Sequence, residues 1–261
     1  MIRNLLIISG AGLVLAIVGI GGSLAVGGAD LARHSWTWVI REDDSGGLNI
    51  RRTVDDDVAI PRVTRQIAWS GQDRLTLSLP GDVLYIQTAE APGITLSGPQ
   101  ALVDRVSFTN GQLLLSDHSR GEAAYVTLGA DGLRGWSDSD GLKVTIRAPS
   151  VKTFELSDRT ELEVRGYDQP TMNLMLAGSA EVEAQGRTDT LTIDASGSSS
   201  AELDELLGAD ATIRVSGSSG VKTAANGLVV VDGSGTSRVR LTRRPSELRQ
   251  TLSGEAVVRQ D

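Results

Sequence analysis

Between Phe154 and Val258 apolar and polar residues alternate in short runs, and one small-residue phrase interrupts the alternation six times. The copies are Leu156-Ser157-Asp158, Leu176-Ala177-Gly178-Ser179, Ala195-Ser196-Gly197-Ser198, Val215-Ser216-Gly217-Ser218, Val231-Asp232-Gly233-Ser234 and Leu252-Ser253-Gly254-Glu255. Aligned on the Gly, or on Asp158 in the first copy, they lie 20, 19, 20, 16 and 21 residues apart. Four and two residues before that position stand apolar pairs: Phe154 and Leu156, Leu174 and Leu176, Ile193 and Ala195, Ile213 and Val215, Val229 and Val231. Four and six residues after it the alternation resumes, as in Leu162 and Val164 or Val182 and Ala184. A period of two puts each pair on one face of a strand, so every copy reads as strand, corner, strand. The corners are assigned to Gly178, Gly197, Gly217, Gly233 and Gly254, since a tight turn with a positive φ suits glycine.

Self-similarity at about 20 residues is the mark of a solenoid in which each unit buries its apolar face against the next. The expected fold is all-β: a parallel β-helix whose coils of about 20 residues pair along the long axis at about 4.8 Å. An antiparallel sandwich or barrel also needs many short strands. The repeats match by position through the turn itself, and Asn-Gly hairpin pairs are sparse, which favours the helix. Before Phe154 the pattern loosens. Leu75-Thr76-Leu77 and Val83-Leu84-Tyr85-Ile86 flank Pro80-Gly81, and Ile94-Thr95-Leu96-Ser97-Gly98 reads as the same phrase one coil later. Asn110-Gly111 between Val106-Ser107-Phe108 and Leu113-Leu114-Leu115 predicts a local hairpin. Residues 116–141 form the longest interruption, the place where a solenoid departs from its scaffold to make a binding loop.

Residues 5–29 carry no charge and follow Arg3. The run is long enough to cross a hydrocarbon core of about 30 Å as a transmembrane helix with the basic end inside. Cleavage near Ala29 would make it a signal helix instead, and both readings send the remainder out of the cytoplasm. Trp36 and Trp38 suit either the membrane interface or packing on the first coil. Arg41 to Asp57 reads as a polar connection. The expected domains are a membrane anchor or signal at 1–30, a linker and N-terminal cap at 31–62, and the β-helix at 63–261.

Composition narrows the chemistry. With 25 Lys and Arg against 33 Asp and Glu, the formal charge is -8, which disfavours a nucleic-acid partner. The absence of cysteine excludes disulfides, thiolate metal sites and a Cys nucleophile. There are two histidines, His34 and His118, neither near a nucleophile in sequence. No Gly-x-Ser-x-Gly elbow is present, and Asp138-Ser139-Asp140-Gly141 opens like a calcium loop without the acidic residue that completes one. No catalytic, cofactor or metal residues are assigned. The candidate ligand-binding residues are Asp131, Trp136, Asp138 and Asp140 of the insertion. On the outer face, three residues before each Gly, stand Met175, Asp194, Arg214, Val230 and Thr251, of which Asp194 and Arg214 are placed to form an ion pair across coils.

The runs Leu191-Thr192-Ile193-Asp194-Ala195-Ser196-Gly197-Ser198, Ile213-Arg214-Val215-Ser216-Gly217-Ser218, Leu113-Leu114-Leu115 and Val144-Thr145-Ile146-Arg147-Ala148-Pro149 carry a resemblance. Over roughly residues 64–258 the chain resembles the bacterial GIN domain, also called the putative auto-transporter adhesin head domain or DUF2807. The resemblance implies a right-handed β-helix outside the cytoplasm and a role in adhesion, and it brings no catalytic residues. This chain departs from the family's Gly-Ser-Gly-Asp phrasing at Gly178-Ser179-Ala180-Glu181 and Gly197-Ser198-Ser199-Ser200. The expectation is a non-enzymatic binding or scaffold domain of the cell envelope. It is held at the inner membrane with a periplasmic domain, or secreted after cleavage, and contacts envelope polysaccharide or protein. Two alternatives remain: a β-helical polysaccharide-active enzyme using Asp131, Asp138 and Asp140, and a sensory ectodomain.

Overall fold

Strict alternation of Leu, Val and Ile with polar residues, closed by Gly and Ser, leaves the chain few options other than short strands with one buried face. The computed structural model describes residues 36–42, 48–53, 62–116, 123–129, 132–137 and 141–261. The hydrophobic run 5–29 and both histidines lie outside the described residues. Among those described, no helix is long and apolar enough to cross a membrane.

The chain forms two compact units. In the first, β1 (Trp36–Glu42), β2 (Leu48–Thr53), β9 (Ala123–Gly129) and β10 (Gly132–Ser137) make a four-stranded antiparallel sheet ordered β10-β9-β1-β2. The stretch 41–57, expected as a polar connection, therefore contains a strand. β2 has only Leu48 and Ile50 among polar residues, too little alternation to announce itself. Trp36 and Trp38 both lie on β1, and Trp38 is half-buried.

The second unit is the solenoid. Its first face stacks, in parallel, β4 (Arg74–Ser78), β12 (Thr153–Ser157), β14 (Thr171–Leu176), the second half of β15 (Glu181–Ala195), the second half of β16 (Ser200–Val215), β18 (Leu228–Gly233) and β20 (Glu247–Leu252). The second face stacks β11 (Lys143–Ala148), β5 (Gly81–Gln87), β13 (Thr160–Asp168), the first halves of β15 and β16, β17 (Gly220–Thr223), β19 (Arg238–Leu241) and β21 (Val257–Gln260). The parallel ladders rule out the sandwich. Inward columns such as Phe154, Leu174, Ile193, Ile213 and Val229 are fully or almost fully buried, as the alternation requires.

The N-terminal half departs from simple coiling. β5 pairs in parallel with both β11 and β13, and β4 with β12. The coil of residues 74–87 is thus inserted between β11 and the coil that follows β11 in the chain. Lys152 and Thr153 donate backbone hydrogen bonds to the Asp73 carbonyl, and Thr88 donates to that of Ala148. β6 (Gly93–Pro99), expected as one more coil, runs antiparallel to β11, because alternation fixes a strand's faces and not its direction. The helical turn α1 (Gln100–Val103) follows it. Then β7 (Val106–Thr109) and β8 (Gln112–Leu115) form the predicted hairpin, with φ of 51° at Asn110 and 81° at Gly111. β3 (Arg62–Ala68) precedes the solenoid strands and buries Val63 and Ile67 in part.

One corner needs correction. Gly178, Gly197, Gly217 and Gly254 have φ between 69° and 78°, but the positive-φ residue of the fifth copy is Gly235, at 73°, and not Gly233. Gly233 pairs with Val215 and Leu252 in the strand ladder and is buried. The segment Gly233-Ser234-Gly235 offers two glycines, and the misleading choice produced the spacings of 16 and 21. Centred on Gly235, the steps become 235 − 217 = 18 and 254 − 235 = 19. Each corner stacks on the last through backbone bonds such as Ser218 N–H to the Gly197 carbonyl and Thr236 N–H to the Gly217 carbonyl, both 2.8 Å.

An aromatic knot ties the inserted coil to its neighbours. Tyr85 meets Phe154 edge-on with ring centroids 5.1 Å apart, and Tyr167 lies 6.3 Å from Phe154. The Tyr85 hydroxyl donates to the Ala148 carbonyl at 3.1 Å and accepts from the Val151 N–H at 3.2 Å. Burial pushes the Tyr85 hydroxyl from its ordinary 10.0 up to about 12, against the opposing effect of the Val151 hydrogen bond. Tyr167 is shifted in the same direction, chiefly by burial. The fold holds both rings neutral, so their contribution is complete below pH 10.0; that of Tyr85 is lost as pH climbs through about 12, and that of Tyr167 at higher pH still. An alkaline titration is expected to show tyrosinate absorbance and loss of the strand signal rising together in that window. Full ionisation of every tyrosine at its ordinary value, with the fold intact, would contradict this.

Candidate functional site

Parallel stacking turns one outward position per coil into a continuous column. On the first face the column runs Thr76, Glu155, Met175, Asp194, Arg214, Asp232, Thr251. The shift of the fifth corner to Gly235 places Asp232 here instead of Val230, so a second carboxylate stands beside Arg214. That residue escaped sequence reasoning, and the regular spacing restored by Gly235 is the signal that would have found it. Arg214 and Asp194 form the expected ion pair at 3.7 Å, with side chains 59% and 43% exposed. Glu155 accepts from Thr76 Oγ1 at 2.8 Å and pairs with Arg74.

Beside this column lies the corner column Ser157, Ala177, Ser196, Ser216, Ser234 and Ser253, each one residue before its turn. The two enclose a shallow groove made of two depressions of about 420 and 240 Å³ that share Asp194 and Ser196. The groove follows the solenoid axis and crosses the strands from Thr76 to Ser234. It offers carboxylate acceptors, a guanidinium donor, serine hydroxyls that do both, and the 43% exposed thioether of Met175 as an apolar step. Such a set can hold a chain of hydroxyl-bearing units by hydrogen bonds at a repeat of about 4.8 Å.

A larger depression of about 550 Å³ lies on the second face, walled by Glu161, Glu163, Glu181, Glu183 and Glu202. Carboxylates dominate its polar lining, with Lys143, Thr145 and Ser200 as the donors. Among the described residues no group of three or more His, Cys, Asp or Glu side chains is placed to hold a metal ion. Of the residues singled out in the insertion, Trp136 lies on β10 opposite Tyr125 of β9. Asp131, Asp138 and Asp140 lie outside the described residues.

The family model described as "Putative auto-transporter adhesin, head GIN domain" (DUF2807) matches residues 73–245, well over half of the chain. A search among curated proteins finds no match. Among solved structures, a putative adhesin from Bacteroides fragilis NCTC 9343 superposes with a TM-score of 0.56 at 12% identity, covering 77% of this chain and 97% of its own. A protein described as a putative lipid binding protein from Parabacteroides distasonis ATCC 8503 has a TM-score of 0.43 at 14% identity, with coverage of 77% and 96%. A putative adhesin from Parabacteroides merdae ATCC 43184 has a TM-score of 0.40 at 10% identity, with the same coverage. The first of these shares the β-solenoid fold. With its repeats, its parallel coils and the family match over residues 73–245, the chain belongs to the GIN-domain family, DUF2807.

Proposed function

We propose that this protein is a non-enzymatic, adhesin-head-like binding domain of the bacterial cell envelope whose contact surface is the groove along the first face. The observation that carries the proposal is the groove's composition: donors and acceptors repeat with the coils on a rigid floor of buried strands. Rigid side chains and backbone reduce the ordering cost of binding. The family description as an adhesin head supports the reading. An envelope polysaccharide is the partner that best suits alternating hydroxyl, carboxylate and guanidinium groups. The uncharged run 5–29 supports tethering at the inner membrane with the solenoid on the periplasmic side.

The test is retention of the full chain, in non-ionic detergent, on a panel of immobilised envelope and capsule polysaccharides, with the chain length of each polysaccharide followed in parallel. Retention without shortening is expected. Shortening would replace the binding reading with an enzymatic one. Arg214 is suited to probing the groove because its ion pair is exposed, and exposed pairs contribute little to stability. Arg214→Ala is expected to shift unfolding by no more than about 0.5 kcal/mol, measured by denaturant titration, so a loss of retention would report on binding. A shift of several kcal/mol would show that the column is structural.

A further inference from the structure

The second face carries a charge order that the groove on the first face does not use. In register across successive parallel strands, one outward column reads Glu163, Glu183, Glu202, Lys222, Arg240, Arg259. Three negative charges are followed by three positive ones. The neighbouring column continues the trend, from Glu161 and Glu181 through Ser200 and Gly220 to Arg238. Like charges directly opposite one another on adjacent strands destabilise a sheet, so neither half of this face is explained by the stability of the single chain.

We infer that this face binds a second copy of the same chain around a two-fold axis. The axis lies in the interface, parallel to the strands and between β16 and β17. That operation reverses the order of the coils and leaves the columns facing themselves. Glu163 then faces the other copy's Arg259, Glu183 its Arg240, Glu202 its Lys222 and, in the neighbouring column, Glu181 its Arg238. The next outward residues on β13 and beyond β21, Arg165 and Asp261, are again opposite in sign. Reversal thus brings acid onto base along the whole of the first column, while in the neighbouring one Glu161 faces Val257 and Ser200 faces Gly220.

Pairs within the chain restrain these side chains: Lys222 with Asp204 at 2.9 Å, Arg240 with Asp261 at 2.9 Å, and Arg165 with Glu163. Because Asp204 and Asp261 already offset part of the basic half, the attraction is moderate. The strands from β13 to β21 span about 24 Å at a spacing of about 4.8 Å, which puts the contact at the small end of specific interfaces. A weak dimer that salt dissolves is the consequence.

The full chain in non-ionic detergent is examined by sedimentation velocity. Wild type is expected to dimerise at low ionic strength, with an association constant falling at least about tenfold between about 50 and about 500 mM salt. The variant E183R/E202R, which makes two of the three acidic positions basic, and K222E/R240E, which makes two of the three basic positions acidic, should each be monomeric alone and form a dimer when mixed. Because the chain contains no cysteine, E163C/R259C gives a second readout. Its two thiols lie about 24 Å apart within one copy and adjacent between copies, so oxidation should yield a covalent dimer that neither single-cysteine variant gives. A wild type that stays monomeric at low salt would overturn the inference. So would a dimer indifferent to charge reversal, a failure of the two variants to combine, or equal cross-linking by the single-cysteine variants.

Discussion

Gly235→Ala is expected to cost about 2–4 kcal/mol, while Gly233→Ala, two residues away, stays within about 1 kcal/mol. Gly235 has a φ of +73°, and a Cβ there would stand 2.6 Å from the carbonyl oxygen and 3.0 Å from the nitrogen of Gly217 in the coil below. The backbone has no room to retreat, because Ser234 and Thr236 are hydrogen-bonded to the Val215 and Gly217 carbonyls at 2.9 and 2.8 Å. At Gly233 the three nearest atoms all belong to side chains: Cδ2 of Leu252 at 2.9 Å, the tip of a side chain that is 38% exposed in the last coil and free to turn aside, then Cβ of Ala256 at 3.3 Å, which must give by a few tenths of an ångström, and Cγ2 of Val215 at 3.5 Å. Alanine at a strand position also costs less chain entropy than glycine. Denaturant titrations of the two variants decide the matter. Equal losses would mean that the corner is misplaced, and with it the position of Asp232 beside Arg214.

Phe154→Ala is expected to remove about 3–5 kcal/mol. The ring is fully buried, packed between Tyr85 of the inserted coil and Tyr167 of its own coil. Truncation leaves a void walled by two rings whose hydroxyls are anchored, Tyr85 to Ala148 and Tyr167 to the Thr171 carbonyl at 2.6 Å, so collapse around the gap is restricted. Phe154→Leu, which keeps most of the volume, should cost less than about half as much. A loss below about 1 kcal/mol for alanine would show that the inserted coil is not held through this knot.

These two positions also mark what the sequence reveals and what it hides. Parallel coils were legible from Phe154 onward because period-two columns and a small-residue corner recur at nearly constant spacing, and Asp194 with Arg214 followed from that spacing. Gly233 misled because a second glycine two residues on satisfies the same phrase. The evener spacing around Gly235 hints at the answer, and the ladder from Val215 to Gly233 to Leu252 fixes it. The inserted coil left no local trace: Leu75 pairs with Phe154 and Val83 with Leu162, partners 154 − 75 = 79 residues apart in both cases, and alternation carries no information about which strand lies alongside. β2 was hidden by its polar composition. The charge order of the second face is scattered over six strands in sequence, and it becomes a line only when the register is fixed.

The most direct measurement compares wild type with the triple variant D194A/R214A/D232A for retention on whichever polysaccharide holds the wild type most firmly. Loss of retention by at least about tenfold is predicted, the equivalent of about one groove hydrogen bond to a charged group, with far-UV spectrum and denaturation midpoint unchanged. Undiminished retention by a folded triple variant would contradict the assignment of binding to the first face.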